Sequence, residues 1–149
     1  AKNKEKIRMQ QKEYYIEKGC RNPKFIYRNL FNRNHTPVKM TGEEFVSLYN
    51  SKPKACCYCG IPEDALKYMD YIPENRRNRL QIERIDNNKN YELNNIDLAC
   101  HTCNIIHQNP ISPKEVREIA QKYITPVWKK ILEEKRSEKN FDKSLIFYP

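Results

Sequence analysis

Leu80-Gln-Ile-Glu-Arg-Ile-Asp-Asn-Asn-Lys-Asn-Tyr-Glu-Leu-Asn-Asn-Ile-Asp-Leu-Ala-Cys-His-Thr-Cys-Asn-Ile-Ile-His107 decides how the rest of this 149-residue chain is read. Leu80 and Ile82, and beyond them Ile85, alternate with polar residues, so the stretch opens with a short strand. Asn87 to Asn90 makes a turn, and Ile96 and Leu98 alternate again in a second strand that runs into Cys100. Residues 101–108 read as a short helix stopped by Asn109-Pro110. Cys100 and Cys103 match a second pair, Cys56 and Cys59, in Cys56-Cys57-Tyr58-Cys59. Two C-x-x-C knuckles far apart in sequence can close one tetrahedral thiolate site for zinc. Four thiolates leave no open position for water, so that ion would be structural. Cys57 and His107 are substitute ligands, and Cys20 and Cys57 read as reduced thiols outside the site.

Composition supports a small metal-stapled unit. Hydrophobic residues make up 38% and charged residues 32% of the chain, so the apolar core must be small and a metal would compensate. The net charge is +9 and the pI about 9.2, and the charge is unevenly placed. Eleven of the 28 basic residues but only three of the 19 acidic ones lie in residues 1–39. Residues 40–111 hold eight basic and ten acidic residues, and residues 112–149 nine and six. Basic arms around a near-neutral centre suit a polyanion-binding surface beside a site that needs carboxylates. No apolar run approaches a membrane span and no signal peptide is visible. Paired C-x-x-C spacing favours a reducing compartment. The expectation is an intracellular protein, cytoplasmic or, in a eukaryote, nuclear, and not secreted.

Outward from the centre, residues 2–18 read as a basic, weakly amphipathic helix carrying Ile7, Tyr14, Tyr15 and Ile16 and ending at Gly19. Arg21 to Lys39 continues basic with Phe25, Tyr27 and Phe31 interleaved, available to stack on bases or to pack on the core. Thr41-Gly42-Glu43-Glu44 is a capping box that opens a helix ended by Lys52-Pro53. Ile61 to Arg79 reads as an irregular polar loop with one helical turn at residues 63–68. Arg76, Arg77 and Arg79 cluster there, placed to meet a phosphate backbone. Ser112-Pro113-Lys114-Glu115 starts another helix. Thr125-Pro126 restarts one, and residues 133–143 read as solvated. Leu145 to Tyr148 is left between docking and disorder. The expected organisation is a basic helical arm (1–40), a metal-stabilised core (41–111) and C-terminal helices with a tail (112–149).

Strand, turn, strand and helix make a ββα unit. With C-x-x-C before it and C-x-x-C-N at its helix, the chain resembles the HNH (ββα-metal, His-Me finger) endonucleases. It is most similar to the branch with an acid-Arg-Ile-Asp motif, here Glu83-Arg84-Ile85-Asp86-Asn87, then Tyr91, Asn95 and Cys100 to Asn104. The resemblance implies an α+β fold, a small HNH, treble-clef-like zinc core with flanking helices. It implies that Glu83 binds a catalytic Mg2+ or Mn2+ ion and that Asn104 completes that site, with Asn95 bracing the loop. It implies a one-metal hydrolysis of DNA phosphodiesters, with double-stranded DNA as the partner.

Two positions depart from the pattern. Glu83 stands where the family carries Asp. Arg84 stands where it carries the general-base His, and a guanidinium has no lone pair to accept a proton. Arg84 is instead a candidate to clamp the scissile phosphate. The base must come from elsewhere or be a metal-bound hydroxide: His101 and His107 flank Asn104 by one turn each, and Asp86 and His35 are further candidates. An alternative reading is a catalytically degenerate, zinc-stabilised DNA- or RNA-binding protein. A third is a structural zinc domain serving protein contacts.

Overall fold

The computed structural model describes residues 2–14, 19–33 and 35–147. Its element order is α1 (Lys2–Tyr14), α2 (Pro23–Arg33), α3 (Gly42–Ser51), β1 (Gln81–Arg84), β2 (Ile96–Ala99), α4 (His101–Ile106), α5 (Pro113–Ile119) and α6 (Thr125–Lys135). β1 and β2 pair antiparallel, with Ile82 opposite Leu98 and Glu83 opposite Asp97. This is the expected α+β arrangement, a two-stranded ribbon running directly into α4 and flanked by helices.

Local chemistry explains most boundaries. At α3, Thr41 Oγ1 accepts from the Glu44 N–H and Glu44 accepts from the Thr41 N–H, at 3.2 and 2.7 Å. Ser112 and Glu115 make the same reciprocal pair at α5. Each box satisfies donors that the first turn of a helix leaves without partners. The segment after Arg21 holds a helix, α2, for which the sequence carried a signal: Asn22 accepts from the Lys24 N–H, and Pro23 follows at the first helical position. On α2, Tyr27 packs against Phe45 and donates to the Met40 carbonyl, whereas Phe31 stays exposed. On α1, the side chains of residues 3–14 are exposed, and Lys12 pairs with Glu74 at 3.2 Å. Tyr15, Ile16 and the predicted helix end before Gly19 lie outside the described residues, as does Tyr148.

Two readings of the chain change. The stretch 61–79 is not a solvated polar loop. Glu63–Tyr68 forms the expected helical turn, of 3-10 type, but Ile61, Ala65, Leu66, Met69 and Ile72 are completely buried. Their spacing follows no regular period because the segment winds through short turns, which is why pattern reading misses it. The second change is at Thr125-Pro126, where no break occurs. Residues Ala120–Ile124 widen into a π turn and α6 continues from it. Pro126 has no N–H to give, and its ring would crowd the carbonyl four residues back, in that wider turn. Further on, the stretch 133–143 is not solvated to its end: Phe141, and Leu145 after it, dock on the core, and the Tyr68 hydroxyl accepts from the Asp142 N–H.

The buried core is contiguous from Ile26 to Leu145 and surrounds the knuckles. The C-terminal helices satisfy the first knuckle's carbonyls: Gln121 donates to Tyr58 O at 2.7 Å and Trp128 Nε1 to Cys59 O at 3.1 Å. Cys57 N donates to Leu98 O, which fastens the knuckle to β2. Gly60, with φ of 74°, makes the reversal after Cys59.

Candidate metal and phosphate site

Cys56, Cys59, Cys100 and Cys103 converge, all buried, with their sulfurs within 4.8 Å of one another. It is the one metal-ligating cluster of His, Cys, Asp and Glu among the described residues. The first pair comes from the turn closed by Gly60, the second from the entry to α4, where one helical turn returns Cys103 to the side of Cys100. The thiols compete for protons: hydrogen bonds from Cys100, Cys103 and Cys59 hold Cys56 well below the usual thiol range, while bonds to Cys100 and Cys56 push Cys103 up. A divalent soft ion removes that competition by taking all four as thiolates. The donor set fits structural zinc. Cys57 does not belong to this cluster and is half-buried.

A second constellation sits where β1 meets α4. Glu83 is 2% exposed, an unusual place for a carboxylate. Three side chains answer it. Asn104 Nδ2 donates to Oε2 at 2.6 Å, the Tyr58 hydroxyl donates to Oε1 at 3.1 Å, and His107 Nδ1 contacts Oε1. Burial pushes the Glu83 carboxyl above the usual carboxylate range, against the opposing pull of His107, Tyr58 and Asn104. Burial and the nearby Glu83 charge push the Tyr58 phenol up, so Tyr58 stays a donor. Asn104 and His107 lie one turn apart on α4, and so reach the same carboxylate. Asn104 presents nitrogen to Glu83; turning its amide over presents Oδ1 instead, and the pair then offers the oxygen donors that a hard divalent ion takes.

Asn95 is 4% exposed and closes the loop between the strands. Its Oδ1 accepts from Asp86 N at 2.8 Å, and its Nδ2 donates to the Asp86 and Asn90 carbonyls. Asn87 donates to the His107 carbonyl at 3.2 Å, tying that loop to the end of α4. Arg84 follows Glu83 on a strand and therefore takes the opposite face. It donates to Thr36 Oγ1 and to the Lys89 carbonyl, and lies over the Tyr91 ring at 5.5 Å. Its Nε is buried without a partner. Of the other candidates, His101 accepts a hydrogen bond at Nδ1 from Gln81, Asp86 pairs with Lys89, and His35 is exposed.

Asn104 and His101 also line an open cleft of about 640 Å3 between α2, the segment 75–79 and β1. Arg76 and Arg79 stand in its wall, but Arg77 turns inward to the Ile72 and Asp70 carbonyls. The arginine cluster read from sequence is thus divided between cleft and scaffold. Sequence reading missed Tyr58. Its one signal was its place inside a knuckle that must approach β2.

No protein-family profile and no curated protein matches this chain. Among solved structures, PacI, described as a rare-cutting HNH restriction endonuclease with an extraordinary mechanism of DNA perturbation, superposes with a TM-score of 0.63. The match is 24% identical and covers 73% of this chain and 80% of PacI. The likeness is one of fold, and with the four-cysteine cluster it bears out the HNH-like architecture expected from the knuckles and the ββα unit. No helix among the described residues is long and apolar enough to cross a membrane.

Proposed function

We propose that this chain is a divalent-metal-dependent endonuclease that hydrolyses phosphodiester bonds in double-stranded DNA, built on a structural zinc core. The observation that carries the reading is the meeting of Glu83 and Asn104 at 2.6 Å, beside the four-cysteine cluster and at the edge of an arginine-walled cleft. Glu83 and Asn104 would hold Mg2+ or Mn2+ through side-chain oxygens, and the ion would offset the charge that develops on the phosphate and its leaving oxygen.

The remaining work falls to the chain. Arg76 and Arg79 hold the strand at the cleft. His107 is the candidate base: its Nδ1 contacts Glu83, and Nε2 is the nitrogen that would take the proton. Tyr58 donates to Glu83 and keeps its carboxylate aimed at Asn104. Asn95 positions the loop that carries Asn87 to the end of α4. Arg84 braces that loop against Thr36; to clamp a phosphate its guanidinium would have to leave Thr36 and Lys89.

Supercoiled plasmid incubated with the protein tests the proposal. Nicked circles with Mg2+ or Mn2+, and none without a divalent ion, support it. One observation favours a second reading: Arg84, which cannot act as a base, in the place next to the acid. A protein that binds DNA or RNA in a salt-sensitive way and cuts neither under any divalent ion would establish that reading instead.

A further inference from the structure

A phosphate backbone engages cations and hydrogen-bond donors and gains nothing from apolar surface or from acceptors. The cleft beside Asn104 offers both of the latter. Ile26 and Leu30 of α2 and Ile82 of β1 give it an apolar floor. Around that floor stand the carboxamides of Asn29, Asn75, Asn78 and Gln81, each a donor and an acceptor without charge. His101 adds a ring nitrogen to the same rim, its Nδ1 accepting from Gln81 Nε2 at 3.2 Å. The positive charge is confined to the Arg76 and Arg79 wall.

The cleft is built rather than incidental. Arg21 Nε donates to the Asn78 carbonyl at 2.8 Å, and Arg21 Nη1 to Asp64 at 2.6 Å, which fastens the segment 75–79 to the start of α2. The buried Glu63 carboxylate accepts from Leu80 N at 2.9 Å and holds the same segment from below. Apolar floor, neutral amide rim and cationic wall are the three surfaces that a base, its hydrogen-bonding edge and its phosphate would need. Carboxamides read base edges well because one side chain matches a donor and an acceptor together. The volume, about 640 Å3, lies within the roughly 300–1,000 Å3 typical of ligand sites.

We infer that this cleft receives one unpaired nucleotide of the bound strand, its base on the Ile26, Leu30 and Ile82 floor and its phosphate against Arg76 and Arg79. The inference rests on the DNA-binding part of the nuclease reading, and extends it to a strand from which one base has left the stack.

Binding to three duplexes of one length, without Mg2+ or Mn2+, tests it. One is completely paired, one carries a single unpaired adenosine, and one carries an unpaired abasic residue in its place. The unpaired adenosine should tighten binding by about tenfold over both others. In Asn29→Ala/Asn78→Ala, checked for folding by zinc content and circular dichroism, the ratio of adenosine to abasic affinity should fall to near one. Asn75→Ala, on an exposed position of the same rim, should lower it in part. Equal affinity for all three duplexes would overturn the inference and leave the nuclease reading standing. Equal gains from adenosine and abasic residues would overturn it as well, because flexibility and not the base would then be recognised. Failure to bind any duplex would overturn both.

Discussion

Asn104 of α4 donates its side-chain amide to the Glu83 carboxylate of β1 at 2.6 Å, joining the first strand to the helix that carries Cys103 and has Cys100 at its N-cap. The four-cysteine cluster and the carboxylate site are therefore mechanically linked. Cys100 and Cys103 set the position of α4, and α4 sets the distance between Asn104 and Glu83.

Loss of the zinc site should accordingly unfold the centre rather than weaken it locally. Structural zinc in small domains supplies apparent free energies of about 10–16 kcal/mol. Cys103→Ser should yield protein with less than one zinc per chain and without cooperative thermal unfolding. Elemental analysis and calorimetry measure both.

Tyr58→Phe removes one donor from a buried carboxylate and changes little in volume. The expected cost is about 1–3 kcal/mol in unfolding free energy, because a buried carboxyl group loses a hydrogen-bond donor. Chemical denaturation gives the number. The same variant should lower cleavage while leaving zinc content unchanged.

The α5 cap should make stability fall in acid. Hydrogen bonds from Ser112 hold the Glu115 carboxyl below the usual carboxylate range. A carboxyl lowered on folding adds stability that is present above its unfolded value, about 4.3, and is lost as pH falls through the folded value. Glu115→Gln should therefore flatten the acid side of the melting-temperature profile and leave the profile near pH 7 parallel to that of the parent.

Arg76 and Arg79 stand in the cleft wall, Arg79 with Nη1 on the Leu80 carbonyl, whereas Arg77 lies outside it and donates to the Ile72 and Asp70 carbonyls. Arg76→Ala and Arg79→Ala should each reduce the slope of log binding constant against log salt by about 1. Arg77→Ala should lower stability and leave that slope alone. A salt titration of DNA affinity separates the two effects.

The parts of this molecule that were legible in the sequence are those with short-range causes. Cys-x-x-Cys spacing, the Thr41 and Ser112 capping boxes and the strand alternation around Ile96 and Leu98 each act within a few residues. Glu83 and Asn104 could be paired in advance because a known motif relates them across the loop. Buried Ile61, Leu66, Met69 and Ile72 escaped because their burial is decided by distant partners, the helices that close over the knuckle, and not by any local period. Tyr58 escaped for the same reason: its hydroxyl finds Glu83, 25 residues away, because Cys57 is bonded to β2 beside it. Arg84 shows the converse. Its neighbour in sequence suggested a shared site, but adjacent residues on a strand face opposite ways, and its guanidinium goes to Thr36 and Lys89.

Plasmid cleavage by Glu83→Ala and Asn104→Ala, each first shown to hold one zinc per chain, tests the central claim most directly. With Mg2+ or Mn2+ present, the account expects nicking by the parent and a loss of at least about a hundredfold in both variants, the order of effect seen when a charge-stabilising group is removed from a site. Undiminished nicking by either zinc-loaded variant would contradict it.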